Sequence, residues 1–342
     1  MEVTGTGPVG VDGNEELPPE ILERRICDFD LQIEGRRLER VIERFREELV
    51  RCGITLVQPA FYLTDEWGVP EGTVAIGIPF YLADDRLLAL HGRRGALVEG
   101  DGDEDILRYL RHEMGHVVNY AYQLFATEEW TALFGPMSLP YEEEYRVVPF
   151  SPEFVRHLPG GYAQKHPDED WAETFAVWMT PGSPWREHYA DAPGALAKLE
   201  YCERTMTALR AVPPSVTTVE LHGEVQRLRT RLQDFYTDAA EPLRIPRSLD
   251  GDLQALFAHR SGPAGDEALA EASELLRRHQ RALAVSVYRW TAVDPSVGMR
   301  VVAHLIERAE ALGLRYRPTD RDLILVELSG FLTMLATNYQ RR

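Results

Sequence analysis

Residues Arg111–His116 read Arg-His-Glu-Met-Gly-His, which places two histidines four positions apart and a glutamate directly after the first. On a helix, positions i and i+4 lie on one face about one turn apart. Two imidazoles so arranged can hold one zinc ion, with Glu113 close enough to act on a water molecule at the metal. Because His and Glu are also common on solvated helix faces, the hexapeptide needs a third ligand elsewhere in the chain.

A predicted amphipathic helix, about residues 104–124, carries this hexapeptide. Apolar residues recur at helical spacing from Ile106 to Ala121, and the acidic residues 103–105 suit a helix N-terminus. Gly115 costs such a helix about 1 kcal/mol relative to Ala. A glycine here fits either a close approach of another segment below the metal position or a packing requirement.

A second predicted helix begins at Pro167, a residue suited to a first helical turn, and carries three acidic residues directly after it. Glu169 and Glu173 lie one turn apart on one face, and Ala172 and Ala176 keep the neighbouring positions slim. In an H-E-x-x-H peptidase with a glutamate ligand, one such carboxylate binds zinc and the other hydrogen-bonds a ligating histidine. The alternative ligands on this stretch are Asp170, Glu173 and His166.

The composition excludes several classes of function. The chain has 342 residues, of which 44% are hydrophobic and 27% charged, and its net charge is −18. This charge argues against nucleic acid and against an anionic membrane surface as partners. We found no apolar run long enough to span a bilayer and no secretory signal in the first residues. Three scattered cysteines form no Cys-x-x-Cys pair, which indicates a cytoplasmic protein with reduced thiols.

The fold class predicted is α+β and mostly helical, with a small sheet ahead of the first motif helix. Residues 1–17 are predicted to be a disordered tail, and residues 126–161 a long loop. Residues 18–212 would form one domain and residues 213–342 a helical domain packed on it. The predicted strands are Ile54–Val57, Phe61–Leu63 and Val74–Leu82. The predicted C-terminal helices are Val219–Tyr236, Asp250–Ala258, Asp266–Val287, Val297–Leu312 and Leu323–Tyr339.

The chain resembles a bacterial family of zinc-binding metallopeptidases. Their hallmark is R-H-E-x-G-H followed by Y-A-x-x-H-P-x-E-D-[WF]-A-E-T-[WF]-A, and this sequence matches it at Arg111–His116 and Tyr162–Ala176. Further likeness lies at residues 65–67, 78–83 and 185–201. The spacing of the tyrosine and the two glutamates in the second motif is similar to that in the catalytic domain of anthrax lethal factor.

This resemblance implies a zincin-like, gluzincin-type catalytic domain that holds one Zn²⁺ per chain. It also implies roles for three further residues: Glu113 is the general base, Tyr162 hydrogen-bonds the oxyanion, and Glu173 hydrogen-bonds a ligating histidine. The implied metal ligands are His112, His116 and Glu169.

The predicted function is therefore zinc-dependent hydrolysis of peptide bonds in a peptide or protein substrate. One alternative is a catalytically silent, zinc-bearing scaffold that binds a partner through its C-terminal helices. Glu113 and Tyr162 argue against the scaffold, because a structural zinc site needs neither a base nor an open position. The other alternative is a zinc hydrolase of non-protein amides. The sequence carries no signal of an oligomeric state.

Overall fold

The fold is α+β and mostly helical, as predicted. A computed structural model describes residues 19–93, 98–142, 145–148, 150–236, 249–257, 269–293 and 295–339, so the predicted tail, residues 1–17, lies outside the described residues. The helices are α1 (Pro19–Glu23), α2 (Arg37–Arg51), α3 (Asp85–Arg93), α4 (Asp103–Tyr122), α5 (Glu128–Phe134), α6 (Pro167–Met179), α7 (Trp185–His188), α8 (Pro193–Leu209), α9 (Leu232–Phe235), α10 (Asp250–Phe257), α11 (Ala272–Thr291), α12 (Pro295–Ala311) and α13 (Arg321–Tyr339). The strands are β1 (Ala60–Thr64), β2 (Ala75–Pro79), β3 (Ala270–Glu271) and β4 (Arg315–Tyr316).

The predicted small sheet is present ahead of α4. Strands β1 and β2 pair in parallel, with Ala60 opposite Ala75 and Thr64 opposite Pro79. Every residue of β2 is buried, and Pro79, which cannot donate to a ladder, ends the strand. A short 3-10 helix, Phe80–Ala83, follows directly and includes the last three residues of the predicted strand Val74–Leu82.

The predicted strand Ile54–Val57 is wrong, because these residues form a loop after α2. Gly53 has a φ of 79°, a left-handed conformation that suits glycine at a helix end. The N–H of Ile54 then donates to the carbonyl of Leu49 at 2.9 Å, which closes the helix. Ile54 and Val57 are buried through loop packing, so their apolar side chains mimic the pattern of a buried strand.

The predicted helix Val219–Tyr236 is also wrong, since only a short 3-10 turn and α9 are helical within it. The segment instead bonds to distant backbone, for example through Ile26 N–H to the carbonyl of Thr230 at 3.0 Å. Val225 and Leu232 are buried in the core that contains α4. The apolar spacing that predicts a helix here therefore comes from a largely non-helical segment whose apolar side chains pack into the core.

Among its described residues, the predicted loop 126–161 includes one short α-helix, α5, and the start of a 3-10 helix at Pro159. The hydroxyl of Thr127 caps α5 by accepting from the backbone N–H of Trp130 at 3.3 Å. Trp130 and Phe134 anchor it in the core. Seven residues give too short a window for helical periodicity to stand out among the surrounding prolines.

Two large clusters of buried apolar residues organise the described part of the chain. The first joins α2, β2, α4 and α6 and includes Phe45, Phe80 and Trp171. The second lies among α10–α13 and includes Leu276 and Leu305, which agrees with the predicted C-terminal helical bundle. The domain boundaries at residues 17/18 and 212/213 stay predictions. Within the described ranges, none of the helices is both long enough and apolar enough to cross a bilayer.

Helix α4 is fixed against α2 by Arg111, the residue before the first histidine. Its Nε and Nη2 atoms donate to the two carboxylate oxygens of Glu48 at 2.7 and 2.8 Å, and both side chains are buried. A buried guanidinium needs this kind of bidentate partner, because an unpaired buried charge is costly. The pair therefore fixes the orientation of the helix that carries the motif.

Helices α4 and α6 cross where Gly115 meets Ala172. A Cβ atom on Gly115 would lie 2.7 Å from the Cα atom of Ala172 and 3.1 Å from its carbonyl oxygen. The indole N–H of Trp171 also donates to the carbonyl of Gly115 at 2.8 Å. The small residues at both positions thus allow a backbone-to-backbone approach, which brings the acidic residues of α6 beside the histidines of α4.

Gly115→Ala is expected to lower the free energy of unfolding by up to about 2 kcal/mol. Overpacking a tight contact costs about 1–3 kcal/mol, and the gain of about 1 kcal/mol in helix propensity offsets only part of that. Urea unfolding of the two proteins measures the difference. The matched control is Gly330→Ala in α13, where an added Cβ meets nothing within 4 Å and only the propensity gain applies. Equal stabilisation by both substitutions would contradict the close crossing.

Candidate active site

Three side chains from α4 and α6 converge on one point. His112 Nε2 lies 3.0 Å from Glu169 Oε2 and 3.2 Å from His116 Nε2, and the third edge of the triangle, from His116 Nε2 to Glu169 Oε2, is 3.3 Å. All three residues are buried. The structure therefore brings together the three residues that the sequence resemblance implies as metal ligands.

The far nitrogen of each imidazole faces a carboxylate. His112 Nδ1 lies 3.1 Å from Glu173 Oε1, and His116 Nδ1 lies 3.0 Å from Asp168 Oδ2. A carboxylate at this position accepts a hydrogen bond from the Nδ1 proton of the ring. The Nε2 lone pair of each ring therefore points into the triangle. The predicted partner of His112 is thus in place, and the partner of His116 is Asp168, which the sequence interpretation missed.

The triangle fits zinc. Ligand atoms about 2.0–2.1 Å from a tetrahedral zinc ion lie about 3.3 Å apart, close to the three separations found here. Two imidazoles and one carboxylate are also the donor set of catalytic zinc sites, which leave a fourth position open. Among the described residues, this is the group of His, Cys, Asp and Glu side chains whose donor atoms are close enough to share an ion.

The electrostatics of the triangle favour protons shared between its imidazoles and carboxylate. Burial lowers the pKa of His112, but its hydrogen bonds with Glu169 and Glu173 outweigh burial and raise that pKa to about 9. Burial raises the pKa of Glu169. The charge of His116, together with the hydrogen bonds of Glu169 with His112 and His116, outweighs burial and holds that pKa well below the usual range. A metal ion can replace the proton held between these groups, because its ligands must be deprotonated.

Glu113, directly after His112 in the chain, has one buried carboxylate oxygen for which no described residue is a hydrogen-bond partner. This oxygen is Oε2, and the residue as a whole is buried. Burial raises the pKa of Glu113, and the neighbouring charges of His112 and His116 lower it by less. A buried carboxylate whose proton affinity is raised in this way suits a group that takes up a proton during a reaction.

Tyr162 lies beside His112, with the two ring centroids 5.6 Å apart. Burial, together with the nearby Glu169 carboxylate, raises its pKa well above the usual value, so the hydroxyl keeps its proton and can donate it to a hydrogen bond. Its oxygen lies 3.2 Å from the hydroxyl of Tyr141, which itself donates to Glu169 Oε1 at 2.6 Å. Tyr141 is a second site residue that the sequence interpretation missed.

The two missed residues differ in the signal that the sequence offers. Asp168 directly precedes Glu169, and its Oδ1 accepts a hydrogen bond from Asn119 at 2.7 Å. Asn119 lies one turn after His116, and a polar residue at that position of an apolar helix is a sequence signal for a buried polar partner. The hydroxyl of Tyr120 also donates to Asp168, at 2.6 Å. Tyr141 lies in a long loop without periodicity, and nothing local to it indicates where its hydroxyl points.

Two other candidate ligands, Asp170 on α6 and His166 directly before that helix, have different partners. Asp170 Oδ2 accepts from Lys198 Nζ at 2.6 Å, a buried pair that ties α6 to α8. His166 Nδ1 accepts from the backbone N–H of Asp168 at 3.2 Å, and thereby caps α6. Glu173 in addition accepts from two backbone N–H groups, those of His157 and Leu158, at 3.0 Å each.

Asp168→Asn is expected to lower zinc affinity about 10- to 100-fold, because removing the partner of a ligating histidine weakens its orientation and basicity. Asparagine keeps the shape and one acceptor oxygen, so the fold is expected to persist. Competition with a chromophoric chelator measures the affinity. The control is Glu104→Gln, which changes an exposed carboxylate at the start of α4 and should leave the zinc affinity unchanged. An unchanged affinity in Asp168→Asn would show that His116 does not ligate through Nε2.

Comparison with known proteins agrees with this site. Residues 83–181 match the model of a family described as "Putative zinc-binding metallo-peptidase". The matched stretch runs from the end of the 3-10 helix after β2 through α6, and so contains both helices of the site. Searches of curated proteins and of solved structures gave no match.

Proposed function

Since residues 83–181 match a zinc-binding metallopeptidase family, we propose that the chain is a zinc-dependent peptidase. One Zn²⁺ per chain would be held by His112, His116 and Glu169, and the substrate would be a peptide or protein. The observation that carries this proposal is the pairing of the ligand triangle with the buried Oε2 of Glu113, which has no donor among the described residues. A cytoplasmic location, as the sequence predicts, is part of the same proposal.

Each group has a separate task in this proposal. Zinc, when bound, would supply a Lewis acid that activates water and polarises the scissile carbonyl. Glu113 accepts a proton from the attacking water and returns it to the leaving amine. The hydroxyl of Tyr162 donates a hydrogen bond to the carbonyl oxygen as negative charge develops there. Asp168 and Glu173 hold the two imidazoles with Nδ1 protonated, which keeps the Nε2 lone pairs available.

A silent scaffold explains less of the geometry. A structural zinc site closes all four positions with protein ligands and needs no base. Here the triangle supplies three donor atoms, and cavities open on both sides of Glu113, lined also by Tyr162. Accessible space beside a base and a hydroxyl donor supports hydrolysis rather than structural metal binding.

A peptide-mixture experiment tests the proposal. The zinc-loaded protein is incubated with a diverse peptide mixture, with and without a chelator, and new termini are identified by mass spectrometry. Cleavage that chelation abolishes and added zinc restores is expected. Bound zinc without cleavage of any peptide would favour the scaffold, and products from small non-peptide amides alone would favour an amide hydrolase.

A further inference from the structure

Two cavities meet at the candidate active site, and four side chains line both of them. The larger, of about 420 Å³, also contacts the ligands His116 and Glu169, whereas the smaller, of about 330 Å³, extends toward Glu99. The shared residues are Trp67, His112, Glu113 and Tyr162. A peptide whose scissile bond lies at Glu113 would therefore place residues in both cavities.

In the smaller cavity, which we call the Glu99 cavity, acidic side chains predominate among the described residues of the lining. They are Glu66, Glu99 and Glu113, and Lys165 lies beside them. The Lys165 ammonium lies over the ring of Tyr162, 5.3 Å from its centroid, at the boundary with the larger cavity. The buried Glu113 Oε2, to which no described residue donates, belongs to the same lining.

The wall beside Glu99 is ordered and aromatic. The indole N–H of Trp67 donates to the carbonyl of Glu99 at 3.1 Å, and the Trp67 ring stacks on Tyr109 with centroids 5.4 Å apart. Burial, and then the charges of Glu113 and Glu66, raise the pKa of Glu99 to about 7. A positive charge in the cavity would be attracted to the Glu99 carboxylate and would stabilise its ionised form.

The C-terminal bundle supplies the far end of the Glu99 cavity. Tyr288 and Ala292, from the end of α11, line it. The ring of Tyr288 packs on Gly160, where an added Cβ would lie 3.0 Å from a ring carbon, two residues before Tyr162. Arg281, two turns earlier on α11, pairs with Asp101 at 3.3 Å. Two separate contacts therefore hold α11 against the segments that carry the site.

We infer that the Glu99 cavity is a subsite for a positively charged side chain of the substrate, a lysine or arginine close to the scissile bond. Glu99 attracts the charge, and the aromatic side chain of Tyr288 lines the far end of the cavity, where a ring can favour a cation. The inference rests on the proposed peptidase function and assigns to the C-terminal bundle a part in substrate selection.

Matched peptides test the inference. Each set differs only in carrying Lys, Gln or Glu at one position within three residues of the cleaved bond. The wild-type protein is expected to cleave the best Lys peptide about tenfold faster, as kcat/KM, than its Gln counterpart, the discrimination typical of a charged hydrogen-bonded contact. In Glu99→Gln this ratio is expected to fall below about threefold. Equal rates for the Lys, Gln and Glu peptides in the wild type would overturn the inference.

Control variants separate a subsite from the general negative field of the chain. Glu71→Gln removes an exposed carboxylate from the lining of the larger cavity and is expected to leave the Lys-to-Gln ratio unchanged. Tyr288→Ala is expected to lower that ratio, whereas Trp290→Ala, which removes a ring that is 68% exposed on the same helix, is not. An equal loss in Glu71→Gln and Glu99→Gln would assign the preference to the overall charge and overturn the subsite.

A binding measurement distinguishes failure of the subsite from failure of the peptidase proposal. Zinc-loaded Glu113→Gln is titrated with the same labelled peptides and read by fluorescence anisotropy. Tighter binding of Lys peptides without wild-type cleavage would support the subsite and reject the peptidase. Cleavage without charge preference would reject the subsite alone, and neither binding nor cleavage would reject both.

Discussion

Glu113→Gln is expected to lower kcat for peptide hydrolysis by about 10²- to 10⁴-fold, the usual contribution of a positioned general base. Glutamine fills the same buried volume but cannot accept the proton of the attacking water. The glutamate is not one of the three groups in the metal triangle, so zinc content should stay at the wild-type level. Rates on a cleaved peptide and metal analysis of the same samples measure both effects.

The control for this substitution is Glu200→Gln, which makes the same chemical change on the exposed face of α8. It should leave rate and zinc content unchanged. Full hydrolysis by the zinc-loaded Glu113→Gln variant would place the base on another residue. Loss of zinc from that variant would instead mean that Glu113 is a ligand.

Glu169→Ala is expected to lower zinc affinity by more than about 100-fold, beyond the 10- to 100-fold loss typical of residues that only orient a ligand. The two histidines would keep their carboxylate partners, but the triangle would lose its only anionic donor. Asp170 is paired with Lys198, and Glu173 accepts from His112, so neither is free to replace it. Equilibrium dialysis against zinc buffers measures the affinity.

A graded series makes this prediction sharper. Glu169→Ala should lose the most affinity, Glu173→Ala an intermediate amount, and the exposed Glu200→Ala none. The order follows from geometry, because Glu169 Oε2 faces both Nε2 atoms whereas Glu173 Oε1 faces only His112 Nδ1. If Glu173→Ala lost more zinc affinity than Glu169→Ala, Glu173 would be the metal ligand and Glu169 the residue that orients a histidine.

Much of the site could be predicted because its residues fall on two locally encoded helices. The i and i+4 spacing of His112 and His116 fixes their common face, and Pro167 fixes where α6 begins. Gly115 and Ala172, both small, fit a close crossing of those helices. The roles of the site residues remain proposals, but their convergence is a property of the structure.

Other parts of the site depend on the relative rotation of α4 and α6, which local patterns do not encode. The sequence around Asp168 is typical of a solvated helix start, and the contact of Asp168 with His116 follows from the crossing at Gly115. Tyr141 reaches Glu169 from a loop whose path is set by tertiary packing. The same limit explains the wrong helix at Val219–Tyr236, where bonds to distant backbone override an apolar spacing.

X-ray diffraction at the zinc absorption edge, on crystals of the zinc-loaded protein, tests the central claim most directly. The account predicts one anomalous peak per chain, about 2.0–2.2 Å from His112 Nε2, His116 Nε2 and a carboxylate oxygen of Glu169. A peak bound by other residues, or no peak at this triangle in crystals whose zinc content is confirmed, would contradict it.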